Sequence, residues 1–339
     1  MSRSARLLLR GAAGLALLAL AIRFAVPPEA RSFAAFTGAW TSSPAAALGW
    51  FAAACLCFGA NFAVGALRFV ALLRGAGVAV EFAPILRAYV IAGFVSAVLP
   101  AGLGDVYRFT DARRDTGRGG EVLGIVVLER LLGLGGLGAI ALVAVPFLPL
   151  APGQDVRVPL LACAALFVLA PLCPLHPAGR ALLRRALPLV SAISSRLAGA
   201  AERALAAVDT VSERRAVLVQ AFGASVVMQF LPVVAVGLLS LALDSAVPAI
   251  WFAVVVPAVT FIAIVPVSLA GIGVREYLYI SFFGAVGMRP EVALALSLST
   301  LAVTLVWALI GLALFAGRAG RAGRAGRPGQ ADDGEPRTA

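Results

Sequence analysis

Residues 122–148 read VLGIVVLERLLGLGGLGAIALVAVPFL, and within them only Glu129 and Arg130 are charged. As an α-helix the run would extend roughly 40 Å at 1.5 Å per residue, longer than the ~30 Å hydrocarbon core of a bilayer. Such a run reads as a transmembrane helix. Similar apolar runs cover about 7–26, 45–67, 158–173, 216–243, 248–269 and 292–316, with shorter ones at 84–100 and 277–286. Of the 339 residues, 61% are hydrophobic and 13% charged, about half the roughly 25% charged content of soluble domains. No soluble domain has a core large enough to hide so many apolar stretches. The predicted fold class is therefore all-α: a polytopic integral membrane helical bundle with about eight crossings. A cytosolic enzyme, a secreted disulfide scaffold and a disordered chain are excluded.

The basic residues narrow the function. All 28 are arginine, and the sequence contains no lysine. A Walker A loop and a Schiff-base lysine are thereby excluded. A single histidine, His176, excludes histidine-pair zinc motifs. Cys55, Cys57, Cys163 and Cys173 all lie in apolar runs and read as small buried hydrophobes. No cofactor or metal is expected. The net charge of +11 marks cytoplasmic loops of a membrane protein rather than nucleic-acid binding, since no soluble module is available to carry the latter.

Arginine placement sets the expected orientation. The first run follows Arg3, Arg6 and Arg10, and no convincing cleavage site comes after it. It reads as an uncleaved first helix with its N-terminus inside. A full crossing by 84–100 would place the loop 105–121, with Arg108, Arg113, Arg114 and Arg118, outside. The run is also at or below the ~17–25 residues needed to span, so a re-entrant segment returning to the cytoplasm is expected instead. With both termini cytoplasmic, only Arg23, Arg31, Arg157 and Arg289 lie outside. Residues 1–316 form the transmembrane domain on this reading. Within it, 176–215 is a basic amphipathic cytoplasmic loop, its residues 178–207 read as an interfacial helix on anionic lipid broken near Pro188, and 317–339 is a disordered, arginine-rich cytoplasmic tail resting on the anionic leaflet.

Two short segments stand out chemically. Residues 99–108 read LPAGLGDVYR, and residues 266–277 read PVSLAGIGVREY. Each has proline, then Ala-Gly-(Leu/Ile)-Gly, then an acid, an arginine and a tyrosine, which suggests an internal repeat. Pro100, Gly102 and Gly104 in the first, and Pro266, Gly271 and Gly273 in the second, are expected to break the helix and free backbone groups near membrane depth. An adjacent arginine can fork onto a phosphate while a carboxylate holds it in the empty state. Asp105, Arg108, Arg275 and Glu276 are the candidates. A turn at the membrane surface with its charges in water is the alternative. Glu129 and Arg130 join them because a charge at the bilayer centre costs at least ~2.5–3.5 kcal/mol and is functional by default. The alternatives are an intramolecular pair, or snorkelling to the cytoplasmic surface. Gly133, Gly135, Gly136 and Gly138 read as points of close helix approach.

With these motifs, 99–108, the Glu129-Arg130-Leu131 triplet and 266–276, the sequence resembles the transmembrane, flippase-like half of bacterial lysylphosphatidylglycerol synthases and their stand-alone relatives. Order and spacing match over about 45–316. The resemblance implies a protein of the bacterial cytoplasmic (inner) membrane that moves or binds a lipid between leaflets. The lipid would be an anionic phospholipid, a glycolipid or a polyprenyl-linked lipid. The six charged residues named above would then line a substrate cavity, with membrane lipids as partners. The synthases' aminoacyl-transfer domain has no counterpart in these 339 residues, so lysyl transfer is not expected. Two other readings stay open: a non-catalytic scaffold for a lipid-modifying enzyme, and a membrane glycosyl- or acyltransferase subunit using Asp105, Glu129 or Glu276 as acid or base.

Overall fold

A computed structural model describes residues 43–99, 102–149, 157–172, 175–243, 245–262 and 273–325. The predicted first helix, Arg23 and Arg31, Cys173, and the helix-break residues Pro100, Pro266 and Gly271 lie outside the described residues.

Eleven α-helices and no strand occur among the described residues. The first, α1, covers Pro44–Gly75. It opens with Ser43 as its cap and proline in its first turn, a favourable start because proline's missing N–H has no partner there in any case. Next come α2 (Phe82–Val98) and α3 (Leu103–Thr116), joined through Gly102 in the left-handed region, φ 91°. They pack antiparallel. Gly104 of α3 lies against Ala92 and Ser96 of α2, while Arg108, one turn on, lies over Tyr89, one turn back. The left-handed Gly117 ends α3, and α4 (Gly119–Ala144) begins two residues later, extended by a 3-10 turn, Val145–Phe147, at Pro146.

The rest of the chain adds α5 (Arg157–Leu172), α6 (Pro177–Ile193), α7 (Ser195–Glu213), α8 (Arg215–Leu241), α9 (Phe252–Ile262), α10 (Val274–Ala285) and α11 (Pro290–Ala325). Among the described residues four helical segments are long and apolar enough to cross a membrane: Pro44–Gly75, Gly119–Phe147, Arg215–Leu241 and Pro290–Arg318. Shorter apolar helices cover Phe82–Val98, Arg157–Pro171 and Ala249–Ile262.

Two apolar cores hold the bundle. One gathers α8 to α11 around Leu239, Phe252, Phe283 and Leu296. The other joins α1, α2, α4, α7 and α8 around Phe69, Leu72, Ile125 and Leu128. The glycines of α4 let its neighbours approach. A Cβ at Gly136 would stand 2.9 Å from the Ser225 carbonyl oxygen of α8, and one at Gly138 would stand 2.8 Å from the Ala164 carbonyl oxygen of α5. Large apolar side chains such as Leu56, Val143, Leu166 and Leu309 face outward, as they must where the surrounding solvent is lipid.

The structure corrects several expectations. Residues 105–116 are helical rather than a loop, with Asp105, Arg108 and Asp111, at helical spacing, each meeting a charged partner: half-exposed Arg130, buried Glu129 and half-exposed Arg318. The segment 176–215 is a helical hairpin whose break falls at Ser194, the cap of α7. Pro188 is carried within α6. The last helix runs on to Ala325, into the stretch expected to be disordered. Cys163 is exposed, and Cys55 and Cys57 are only partly buried.

Candidate functional site

The centre of the site is Glu129, halfway along α4 and 1% exposed. Its Oε1 accepts hydrogen bonds from Arg68 Nε (3.2 Å) and Nη2 (2.8 Å), and from the Tyr89 hydroxyl. Its Oε2 accepts from Arg108 Nη1 at 2.7 Å. The remaining arm of Arg68 donates to Ser225 Oγ at 2.7 Å. Arg108 reaches Asp105 Oδ1 at 2.5 Å with its other arm, and Arg130 pairs with the second oxygen of Asp105. The Arg108 guanidinium also lies 4.2 Å from the Tyr89 ring centroid, within cation–π range.

Five helices supply these groups: α1 (Arg68), α2 (Tyr89), α3 (Asp105, Arg108), α4 (Glu129, Arg130) and α8 (Ser225). A carboxylate this deep is tolerable because both of its oxygens accept charged or hydroxyl donors, three at Oε1 and one at Oε2. Beside the cluster opens a cavity of about 330 Å³. Arg68, Tyr89, Arg108, Glu129 and Arg130 form its polar end. Leu134, Leu137 and Met228 form its apolar wall, with Gln229, Thr260 and Gly133 between. Arg130, 54% exposed, is the most accessible of the charged groups.

Four of the residues picked out by sequence, Asp105, Arg108, Glu129 and Arg130, are thus brought together. The other two form a separate group. Glu276 is fully buried. It accepts from the Gly273 backbone N–H at 2.5 Å and from Ser297 Oγ at 3.1 Å. Arg275 stands 3.6 Å from Glu276, and its Nε and Nη2 are buried without a hydrogen-bond partner among the described residues. Among the described residues no ion pair or hydrogen bond joins this group to Glu129. Gly102 and Gly273 do mark helix starts, with φ of 91° and 86°. Gly104 does not break a helix. It lies within α3, where a Cβ would stand 2.2 Å from Ser96 Oγ.

Arg68, Tyr89 and Ser225 escaped the sequence reading. Arg68 looked like the flank of an apolar run, although Phe69-Val70-Ala71-Leu72-Leu73 follow it. That continuation was the available signal: an arginine inside an apolar run needs a buried acid, and Glu129 is the matching case.

The family model of the lysylphosphatidylglycerol synthase TM region matches residues 11–312. Neither the curated proteins nor the solved structures contain a match to the chain.

Proposed function

Since the chain belongs to the lysylphosphatidylglycerol synthase TM-region family, and is a multi-pass membrane protein with a lipid-related role, we propose that it is a flippase-like transporter of an anionic lipid. The observation that carries this reading is the arginine-rich end of the cavity beside Glu129. With all groups ionised, Arg68, Arg108 and Arg130 against Asp105 and Glu129 leave one net positive charge. A phosphodiester head group supplies the balancing negative charge and accepts the forked donors that guanidinium presents. Leu134, Leu137 and Met228 provide apolar surface for the adjoining part of the lipid.

On this reading the carboxylates hold the arginines when no lipid is bound and yield them when one enters. Arg130 and Arg108 exchange Asp105 for phosphate, while Arg68 stays with Glu129 and Ser225 as the fixed base of the site. The antiparallel α2–α3 pair, which brings Arg108 onto Glu129, supports reading this segment as a re-entrant hairpin. With both termini inside a bacterial inner membrane, as the arginine distribution suggests, a hairpin re-entering from the cytoplasm would hold the site in the cytoplasmic half. The chain carries out no chemical step. Without lysine it offers no Walker A loop, so movement runs downhill, with an ion or the membrane potential, or with a partner enzyme that consumes the lipid.

The test is translocation of a head-group-reporting phosphatidylglycerol analogue in vesicles containing the purified chain. Arg130→Gln is the informative variant because its side chain is half exposed and holds no core together. Losing one contact to the phosphate should slow translocation about tenfold, the equivalent of ~1.4 kcal/mol, with unchanged thermal unfolding. An unaltered rate would reject the cavity as the lipid's path.

A further inference from the structure

A second arginine-lined recess lies on the rim of the bundle. It is formed by the first turns of α2 and the end of the membrane-spanning part of α11. Pro84, Arg87, Ile91, Leu314 and Arg318 line a volume of about 190 Å³, room for roughly six waters at ~30 Å³ each. Its floor is apolar and its rim carries two guanidinium groups. Arg87 donates only to the Ala83 carbonyl of its own turn and meets no carboxylate among the described residues. Among the described residues Arg318 meets Asp111 Oδ1 at 2.6 Å and the Tyr107 hydroxyl at 3.5 Å, both through Nη1. Both arginines are exposed, and the apolar span of α11 ends at Arg318. This is the depth at which lipid phosphates lie.

We propose that this groove binds the phosphate head group of an anionic phospholipid, as a site distinct from the Glu129 cavity. The arginines take the phosphate, and one acyl chain runs down past the half-buried Leu314. Two further observations give the site a consequence. Asp111, the partner of Arg318, stands on α3 two turns beyond Asp105, so a phosphate that draws Arg318 away competes with a contact holding the helix that carries Asp105 and Arg108. Phe315 of α11 packs edge-on to Tyr107 of α3, with ring centroids 6.3 Å apart, which keeps the two helices aligned through the exchange. The groove thus reports the anionic lipid content of the leaflet to α3. It needs only the membrane embedding of the chain, so its failure would leave the translocation reading untouched.

The experiment uses the full chain in phosphatidylcholine vesicles doped with a phosphatidylglycerol analogue carrying a photoreactive head group, with cross-linked peptides mapped by mass spectrometry. Labelling is expected on peptides containing 84–91 and 314–318. It should fall about tenfold in Arg87→Gln, whose guanidinium makes no ion pair, the loss expected for one ~1.4 kcal/mol contact. Labelling of the peptide containing 133–137 should not change. Asp111→Asn, which frees Arg318, should raise labelling of the groove. Equal labelling of wild type and Arg87→Gln would overturn the site. No response to Asp111→Asn would overturn the competition with α3. Displacement of the label by free glycerol phosphate as readily as by unlabelled lipid would assign the groove to a soluble phosphate and reject the lipid.

Discussion

The starts of α3 and α10 are two versions of one local design. Each begins at a glycine with positive φ, Gly102 or Gly273, and each carries an acid at the third helical position, Asp105 or Glu276. Their surroundings make them different devices. Glu276 turns back on its own helix start, accepting from the Gly273 N–H and from Ser297. Asp105 leaves its own N-terminus uncapped and reaches outward to Arg108 and Arg130. The first arrangement satisfies its donors locally and fixes a helix end. The second shares its charges across three helices beside an open cavity, where an incoming anion can replace one partner. A backbone motif therefore does not determine which acid is exchangeable; the arginines that face it do.

The comparison is broken most severely at Glu129. Glu129→Ala leaves Arg68 and Arg108 buried without their carboxylate, and removing one partner of a buried ion pair costs about 3–5 kcal/mol. Glu276→Ala removes two hydrogen bonds from uncharged donors and the single 3.6 Å approach of Arg275, against two close arginine pairs at Glu129, a smaller loss of about 1–3 kcal/mol. Thermal unfolding in one detergent should rank wild type, Glu276→Ala and Glu129→Ala in falling order. Equal destabilisation would mean that both acids serve only as structural caps.

How far the sequence disclosed this site follows from the length scale of each feature. Apolar runs are local, so the helices at 45–67, 84–100 and 122–148 were legible and correspond to Pro44–Gly75, Phe82–Val98 and Gly119–Phe147. Four charged members of the cluster were legible because a charge in or beside an apolar run stands out. Arg68 was not, since a charge near the end of a run also reads as its boundary, whereas α1 continues past it and Glu129, 61 positions later, neutralises it. Tyr89 and Ser225 carry no charge to betray them. The resemblance between 99–108 and 266–277 was legible, but its register was not. In space Gly102 matches Gly273 and Asp105 matches Glu276, two residues out of step with the alignment of the two Ala-Gly-(Leu/Ile)-Gly strings.

A smaller effect is expected at Arg275. Its two unpartnered buried nitrogens already forgo hydrogen bonds, so Arg275→Met exchanges an unsatisfied cation for an apolar chain of similar reach. The relief offsets the lost 3.6 Å approach to Glu276, and the net change in stability should stay within about 1 kcal/mol. Arg68→Met, by contrast, strips Glu129 of two bonds and Ser225 of one. Unfolding curves for the two variants should separate clearly. If Arg275→Met unfolds as readily as Arg68→Met, then Arg275 has a partner in the folded protein that its present contacts do not include, and the contrast between the two groups fails.

The smallest effect on stability should come from Gly133→Ala. A Cβ there would meet Gln229 Nε2 at 3.5 Å and Arg68 Nη1 at 3.9 Å, ordinary contact distances, so nothing must shift. Replacing glycine by alanine inside a helix also favours folding by about 0.5–1 kcal/mol. The added methyl group points into the cavity, between the arginines and the apolar wall. Gly136→Ala, one turn away, places its methyl 2.9 Å from a carbonyl oxygen of α8 and forces the helices apart, at about 1–3 kcal/mol for overpacking. The two substitutions make the same chemical change on one helix, but one narrows a binding space while the other disrupts packing. Gly133→Ala should keep or raise the unfolding temperature while weakening head-group binding, and Gly136→Ala should lower the unfolding temperature without adding a group to the cavity. A Gly133→Ala protein that moves lipid at the wild-type rate would show that the lipid never enters the space between Arg68 and Gln229, and would direct the search to the outer faces of α3.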